Sequence, residues 1–252
     1  MFDAEELVKG AVERHGDKIA VACSFGKDSM VVLDMALRCD PDIKVIFENT
    51  GVEFPETIEF KDRIKEQWNL NLYETKPLKS FWACVDEYGL PTVRKKGGKG
   101  SNAPKCCKYL KEKPGEILQK KLGVDAILTG IQACESQNRF KLAKRFENKN
   151  TPYTEKVYRG EVVEFCGQRW FTRNTATWMY HPIMFWSVDD VWKHTYFTGL
   201  PVNQVYSKWK GLYPRCGCLP CTAYSSWTDR LPISHPQVFK ILMEKEGQAI
   251  LA

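Results

Sequence analysis

Residues 19–38 read IAVACSFGKDSMVVLDMALR and decide the fold. The first five are apolar and predict a short buried strand, and residues 29–38 carry apolar side chains at helical spacing. The tight turn between them, Ser24-Phe25-Gly26-Lys27-Asp28-Ser29, directs backbone N–H groups and the positive end of the helix dipole at one spot, which suits a phosphate. The Walker A spacing is absent. The alternative is an ordinary β–α turn with Ser24 or Asp28 as N-cap.

Strand and helix signals alternate on either side of this turn. Three more apolar runs predict strands and two stretches predict helices: strands at 43–47, 70–73 and 124–128, and helices at 55–68 and 115–122. This alternation predicts an α/β fold with a mostly parallel, doubly wound sheet that is covered on both faces. Nucleotides bind such sheets at the carboxyl ends of the strands.

No linker in the sequence separates independent domains, so we predict a single domain over residues 1–252. Its parts are a nucleotide-binding core at 19–145 and a cysteine-rich, helical C-terminal part at 181–252, with helices at 188–197 and about 236–247. Residues 153–171 are rich in β-branched and aromatic side chains around two glycines. This composition predicts an insertion of antiparallel strands.

The composition excludes several classes of protein. With 252 residues, 43% of them hydrophobic, the chain can form a substantial core without disulfides. No apolar run approaches the roughly 18 residues of a membrane span, and the acidic start of the chain is unlike a signal peptide. We therefore expect a cytoplasmic protein with no membrane partner. In that reducing compartment, ten cysteines indicate metal or redox chemistry rather than disulfides.

Positive charge is concentrated in Arg94–Lys113, where eight basic residues face a single acidic one, in a chain of net charge +6. A solvated basic loop is the plain interpretation of this stretch. The alternative is a surface for a phosphate-rich ligand or a nucleic acid.

The cysteines form two pairs. Cys106 and Cys107 are adjacent, and Cys218 and Cys221 form a CxxC far along the chain. Two such pairs brought together supply four thiolates, which is the ligand set of a structural zinc site or of an iron–sulfur cluster. Neighbouring cysteines splay their side chains apart, and this favours a cluster of separated iron atoms over a single ion. Cys216 is left over.

The turn at 24–29 resembles the PP-loop, S-x-G-x-D-S, of the adenine-nucleotide α-hydrolase superfamily. Four further segments, in a consistent order, resemble motifs of phosphoadenylyl-sulfate (PAPS) and adenylyl-sulfate (APS) reductases: 48–57 (D-T-G-x-x-F-P-E-T), 129–139 (T-G-x-R-x-x-x-S-x-x-R), 186–192 (W-x-x-x-D-V-W) and 200–203 (L-P-x-N). The resemblance implies a nucleotide site built from the following residues: Ser24, Phe25, Gly26, Lys27, Asp28, Ser29, Thr50, Gly51, Gly130, Ser136 and Arg139.

The cysteine segments resemble the cluster motifs of APS reductases, in which paired cysteines and C-x-x-C-T hold a 4Fe–4S cluster. The resemblance therefore implies a 4Fe–4S cluster on Cys106, Cys107, Cys218 and Cys221. Lys108 and Lys111 would place positive charge beside it, where an anionic substrate sits.

Two departures from these reductases affect the predicted chemistry. Sulfonucleotide reductases attack sulfur with a cysteine in a C-terminal E-C-G-x-H motif, but no cysteine follows Cys221 here. The tail, with Trp227, Leu231 and His235-Pro236, is more similar to iron–sulfur PP-loop proteins of sulfur transfer. In addition, Gln132 replaces the arginine of T-G-x-R, which weakens one expected phosphate or sulfate contact.

Three hypotheses follow. In the first, the protein binds ATP and cleaves it at the α-phosphate to AMP and pyrophosphate for sulfur transfer or activation, with a sulfur donor or reductant protein as partner. Lys27 and the loop amides would stabilise phosphate charge, and Asp28 would help to hold Mg²⁺. In the second, it is an APS or PAPS reductase whose thiol comes from elsewhere, with Cys134 as the candidate. In the third, it is a non-catalytic module that binds nucleic acid through Arg94–Lys113.

Overall fold

The computed structural model describes residues 3–91, 104–135, 140, 154–158, 161–165, 168–169, 177–209, 211–223 and 226–251. Its strands are β1 (Ile19–Ala22), β2 (Lys44–Phe47), β3 (Leu72–Glu74), β4 (Ala126–Thr129), β5 (Thr154–Tyr158), β6 (Glu161–Phe165), β7 (Gln168–Arg169) and β8 (Thr177–Tyr180). Its α-helices are α1 (Ala4–His15), α2 (Lys27–Cys39), α3 (Pro55–Gln67), α4 (Phe81–Tyr88), α5 (Lys105–Cys107), α6 (Lys113–Lys121), α7 (Val188–Phe197), α8 (Val205–Lys208), α9 (Trp227–Ser234) and α10 (Pro236–Leu251).

The strands form one sheet in the order β3-β2-β1-β4-β8-β5-β6-β7. The first five of these are parallel to one another, and β5, β6 and β7 continue the sheet as an antiparallel edge. The predicted α/β class and the strand-rich insertion are therefore confirmed. β8 was not predicted, because its four residues, Thr-Trp-Met-Tyr, lack the aliphatic run that indicates a buried strand.

The centre of the sheet is covered on both faces. Alternate residues of a strand face opposite sides, and in β1 Val21 packs in the cluster that contains α1 and α2 residues, whereas Ala20 packs with Leu118 of α6. Both β1 residues are fully buried. This arrangement confirms the doubly wound sheet and leaves the carboxyl ends of its strands free to form a site.

A second core lies on the helices that carry the first cysteine pair. Cys106 of α5 and Leu110 pack with Phe81 of α4, Leu231 of α9 and Leu242 of α10. Residues 108–112 form a π-helical turn that joins α5 to α6, a feature that occurs mostly at functional sites. Of the helices in the described ranges, none has the length and apolarity needed to cross a bilayer.

Candidate functional site

The turn after β1 has a conformation that is unusual for its sequence. Phe25 has φ +55°, in the left-handed region that disfavours a bulky side chain. Its ring is completely buried and packs edge to face against Phe47 and Phe60, with ring centroids 5.6 and 6.5 Å away. This packing offsets the cost of the backbone conformation. Phe25, predicted to bind the nucleotide, is therefore a core residue that shapes the loop.

The loop leads directly into α2, whose N-terminus has no side-chain cap. Gly26 is the N-cap residue of α2 and no side chain caps this helix end, so the alternative interpretation, with Ser24 or Asp28 as N-cap, does not hold. The Oγ atom of Ser29 instead donates to the Gly26 carbonyl at 3.0 Å and lies 3.2 Å from the Ser24 Oγ atom. An uncapped helix start leaves N–H groups without an intrahelical partner, and such groups bind anions.

Asn203 fixes the loop from the far end of the chain. Its Nδ2 atom donates to the Phe25 carbonyl and to the Thr57 Oγ1 atom, each at 3.1 Å, and it is 2% exposed. The L-P-x-N segment thereby joins the phosphate loop to the start of α3.

Gly130 fixes the loop from the other side. A Cβ atom at residue 130 would lie 2.7 Å from the Asp28 carbonyl carbon and from the Ser29 nitrogen. Only glycine allows the end of β4 to approach the backbone this closely.

Lys27 and Asp28 form a buried ion pair at the start of α2. The Lys27 Nζ atom donates to both carboxylate oxygens of Asp28, at 2.6 and 2.7 Å. Both residues are less than a tenth exposed. Asp28 lines the neighbouring cleft, as do Ser24, Gly26 and Ser29. Lys27 is thus placed to balance the Asp28 charge rather than to face an incoming phosphate alone.

A cleft of about 550 Å³ opens at the carboxyl ends of β1, β2 and β4. This volume is within the usual range for small-molecule sites. The phosphate loop forms one wall, together with Gly130. The lining also includes Cys107, Cys218 and Cys221, which we call the cysteine wall. The structure therefore brings the predicted nucleotide loop and the second cysteine pair, with one member of the first, to a single cavity.

The four predicted cluster cysteines face one another. A hydrogen bond to Cys107 is the largest cause that raises the pKa of Cys106, and burial and the neighbouring thiols of Cys107, Cys221 and Cys218 raise it further. The same hydrogen bond lowers the pKa of Cys107 to about 7. In the described part of the chain, no three such donors converge on a single-ion site, which for zinc requires sulfurs about 2.3 Å from the metal.

Charged side chains surround this cysteine wall. Lys111, on the π-helical turn, has its pKa lowered by burial, but Cys218, Glu48 and Glu53 outweigh this effect and raise it overall. Glu53 accepts hydrogen bonds from the Thr50 hydroxyl at 2.6 Å and from its backbone N–H at 3.1 Å. The predicted positive charge beside the cysteines is therefore present at Lys111, but two carboxylates accompany it.

Thr50 and Gly51 serve the site indirectly. Thr50 is 1% exposed, and its Oγ1 atom lies 3.5 Å from the Cys218 sulfur, so it links the cysteine wall to Glu53. Gly51 has φ +76°, which a turn at this point requires. Neither residue lines the cleft.

Cys216 and Tyr206 are cleft residues that the sequence reasoning missed. The Tyr206 hydroxyl accepts a hydrogen bond from the Lys27 backbone N–H at 3.1 Å, so it covers one amide of the phosphate loop. Cys216 is hydrogen-bonded to Tyr206 and Thr57, and burial raises its pKa to about 11. Cys23, the residue before the loop, also lines the cleft.

Other predicted residues lie elsewhere. Cys134 is exposed, and its sulfur is 3.8 Å from the Trp186 carbonyl; it does not line the cleft. Gln132 is fully buried, and its Nε2 atom donates to the carbonyls of Trp186 and Ser187. It therefore stabilises the start of α7 instead of facing a phosphate. Ser136 and Arg139 lie outside the described residues, as does the part of the basic stretch from Arg94 to Ala103.

The fold and the cleft define an α/β protein in which the loop after β1 and three cysteines line one cavity at the carboxyl ends of the parallel strands. The family model "Phosphoadenosine phosphosulfate reductase domain" matches residues 18–224. The chain therefore belongs to the phosphoadenosine phosphosulfate reductase family, and it is an enzyme.

Relatives agree with this assignment. The chain is 30% identical to the adenosine 5'-phosphosulfate reductase of Staphylococcus haemolyticus over 87% of this chain and 76% of that protein. It is 28% identical to adenosine 5'-phosphosulfate reductase 2 of Bacillus subtilis over 88% of this chain and 80% of that protein.

Solved structures share the fold. The phosphoadenylyl-sulfate reductase of Candida auris superimposes with a TM-score of 0.52 at 18% identity, over 82% of this chain and 85% of that one. The U34-tRNA thiolase NcsA of Methanococcus maripaludis, solved with its [4Fe-4S] cluster, superimposes with a TM-score of 0.52 at 13% identity, over 97% of this chain and 77% of that one.

Proposed function

We propose that this protein is an iron–sulfur enzyme that binds ATP on the loop at 24–29, cleaves it at the α-phosphate, and uses the adenylated intermediate for sulfur transfer or activation. The observation that carries the proposal is the single cleft shared by the loop and the cysteine wall. NcsA, a thiolase with a [4Fe-4S] cluster, has the same fold and supports the combination. The reducing cytoplasm is the proposed location.

The nucleotide is held by the start of α2 and by groups around it. Ser24, Ser29 and the uncapped amides of α2 bind the phosphates, after the Tyr206 hydroxyl leaves the Lys27 amide. Asp28 binds Mg²⁺ that accompanies pyrophosphate, and Lys27 orients its carboxylate through two hydrogen bonds. Gly130, with Ser136 and Arg139 proposed on the resemblance alone, completes the pocket.

Cys106, Cys107, Cys218 and Cys221 are the proposed cluster ligands. The donor set fits: four thiols face one another, and three of them open onto the cleft. A 4Fe–4S cluster bound there would supply a site for sulfide or for the acceptor. Lys111 balances part of its negative charge from the protein side.

A product assay tests the nucleotide chemistry. Anaerobically purified protein is given ATP or APS, and AMP, pyrophosphate and sulfite are measured. We expect AMP with pyrophosphate from ATP. The variant Asp28→Asn loses this turnover, whereas Asp34→Asn, on the same helix but paired with Arg38, retains it. Turnover of ATP that survives Asp28→Asn contradicts the proposed role of the loop.

Iron content tests the cluster separately. Cys106→Ser and Cys218→Ser should each lower the iron bound per chain, because each removes one ligand. Cys39→Ser, at an exposed thiol, is the matched control. Unchanged iron in Cys106→Ser contradicts the ligand assignment.

A sulfonucleotide reductase is the second candidate, and the position of Cys216 favours it. This thiol lies inside the cleft, whereas Cys134 lies outside it, so the thiol of such a reductase would be Cys216. With a dithiol reductant added to supply the two electrons, release of sulfite and AMP from APS that is lost in Cys216→Ser and kept in Cys134→Ser would identify this activity. Salt-dependent nucleic-acid binding without either product would instead indicate the non-catalytic alternative.

A further inference from the structure

Glu48 is an acidic side chain that the site described above leaves without a role. It follows Phe47, the last residue of β2, and it lines the cleft beside the phosphate loop. β2 is the immediate neighbour of β1 in the sheet. Glu48 therefore lies at the carboxyl edge of the sheet, next to the strand whose end carries the loop.

The Glu48 carboxylate has no hydrogen-bond donor among the described residues. By contrast, Glu53, another carboxylate of the cleft, accepts hydrogen bonds from the backbone N–H and the hydroxyl of Thr50. Lys111 attracts Glu48 without reaching ion-pair distance, and Glu112 repels it. Burial raises the Glu48 pKa. An enclosed carboxylate is costly unless it accepts hydrogen bonds, and the open cleft is the direction from which a donor can come.

Gly115 makes room for this carboxylate. A Cβ atom at residue 115, near the start of α6, would lie 2.7 Å from the Glu48 Oε1 atom. Any other residue would push the Glu48 side chain from its position, so the glycine and the carboxylate form a matched pair.

The position of Glu48 suits one donor of a nucleotide in particular. In α/β folds that bind dinucleotides, an acidic residue about 20 positions after the phosphate loop accepts a hydrogen bond from the 2'-hydroxyl of a ribose. Glu48 follows Gly26 of the loop by 48 − 26 = 22 residues. A phosphate on the neighbouring 3'-oxygen of that ribose brings negative charge against the carboxylate.

We propose that Glu48 determines nucleotide specificity by accepting a hydrogen bond from a ribose hydroxyl, so that the cleft takes nucleotides with unmodified ribose and disfavours those with a 3'-phosphate. The inference rests on the proposed function in that an adenine nucleotide occupies the cleft. In this role Glu48 favours ATP or APS over PAPS as the substrate.

Binding measurements on the full chain test this assignment. AMP is compared with adenosine 3',5'-bisphosphate, and ATP with its 2'-deoxy, 3'-deoxy and inosine analogues. In the unmodified protein we expect the 3'-phosphate and the loss of one ribose hydroxyl each to weaken binding about tenfold, the scale of a hydrogen bond to a charged group. In Glu48→Leu both differences should shrink to about twofold or less, because the acceptor and the charge are gone.

Two further variants separate recognition from structure. Glu48→Gln keeps an acceptor oxygen but removes the charge, so it should tolerate the 3'-phosphate and still distinguish the deoxynucleotide. Gly115→Ala displaces the carboxylate and should behave as Glu48→Leu does. Gly10→Ala, at a helical glycine with open space around it, and Glu59→Gln, which removes an exposed charge, should match the unmodified protein.

The outcomes distinguish this inference from the function on which it rests. Binding of ATP with unchanged discrimination in Glu48→Leu overturns the role of Glu48 and leaves the proposed function intact. If only the inosine analogue binds the unmodified protein more weakly, and Glu48→Leu removes this difference, the carboxylate binds the adenine amine. That result overturns the ribose assignment. If the unmodified protein binds no adenine nucleotide, both proposals fail.

Discussion

Asn203 shows how one side chain can hold two distant segments of the site in place. Its two hydrogen bonds, to the Phe25 carbonyl and to Thr57, are buried. Asn203→Ala leaves a buried acceptor unsatisfied, and we expect it to lower the free energy of unfolding by about 2 kcal/mol. Denaturant titration measures this. Asn71→Ala, which removes an exposed hydrogen bond to the Asp42 carbonyl, should cost less than about 0.5 kcal/mol.

The same substitution should also weaken nucleotide binding, because the Phe25 conformation depends on its surroundings. Calorimetric titration with ATP measures the effect. An Asn203→Ala protein that loses stability but binds ATP as the unmodified protein does would show that the loop holds its conformation without this residue.

Gly130 tests the close contact between β4 and the loop. Gly130→Ala places a methyl group 2.7 Å from backbone atoms of Asp28 and Ser29, and backbone cannot move as a side chain does. We expect a loss of about 1–3 kcal/mol in stability together with loss of nucleotide binding. Gly247→Ala, in α10 with no atom near its added methyl, should be neutral or stabilising by up to about 1 kcal/mol. Equal effects of the two variants would refute the contact.

At the scale of elements, α9 and α10 form the cover over the first cysteine pair. Leu231 of α9 is 1% exposed and packs in the cluster that contains Cys106 and Leu110. Leu231→Ala should cost about 2–5 kcal/mol and lower the iron content, since the cavity loosens α5. Ile233→Ala on the same helix removes a side chain that is 67% exposed, so iron and stability should stay within error. Urea unfolding and an iron assay report the two effects.

The sequence predicted the elements whose signal is local. Residues 188–197 were predicted as a helix with the bounds that the structure has, and the structure shows that a Ser187 capping box starts this helix. The β1 strand and α2 were also predicted to within a few residues. The π-helical turn at 108–112 was not predicted, since it depends on packing between helices rather than on a propensity of its residues.

Several residues that the motifs singled out line the cleft. Asp28, Ser29, Gly130 and the CxxC lie there. The predictions for Phe25 and Cys134 assumed that every residue inside a motif faces the ligand, but a motif also contains residues that support the backbone. Cys216 and Tyr206 reach the loop from a distant segment, and a single sequence gives no signal for such contacts.

For the whole molecule, two half-buried histidines predict how stability depends on pH. Burial lowers the pKa of both His194 and His235 below the ordinary 6.5. The negative charge of Asp34 raises the pKa of His194, but burial outweighs it. Glu56 likewise raises the pKa of His235, and Lys208 lowers it. The unfolded chain therefore binds protons more readily than the folded chain below pH 6.5. The stability contribution of each neutral histidine is complete above pH 6.5 and is lost as the pH falls through the lowered pKa.

We expect the melting temperature to fall by about 2 °C or less for each histidine between about pH 7.5 and about pH 5.5, since both side chains retain contact with solvent. His235→Gln and His194→Gln should each flatten this dependence, because neither variant gains a proton in the range. Glu56 does not change the slope in this pH range. Burial raises the pKa of its carboxyl, but Lys208 counteracts burial and lowers the pKa below 4.5. The contribution of Glu56 to stability is therefore lost only in stronger acid. Thermal unfolding followed by circular dichroism measures the slopes, with Asn71→Ala as the variant whose slope should match that of the unmodified protein. A steeper slope in His235→Gln would mean that His235 is protonated in the folded protein and stabilises it through Glu56, the reverse of the effect that burial of the ring produces.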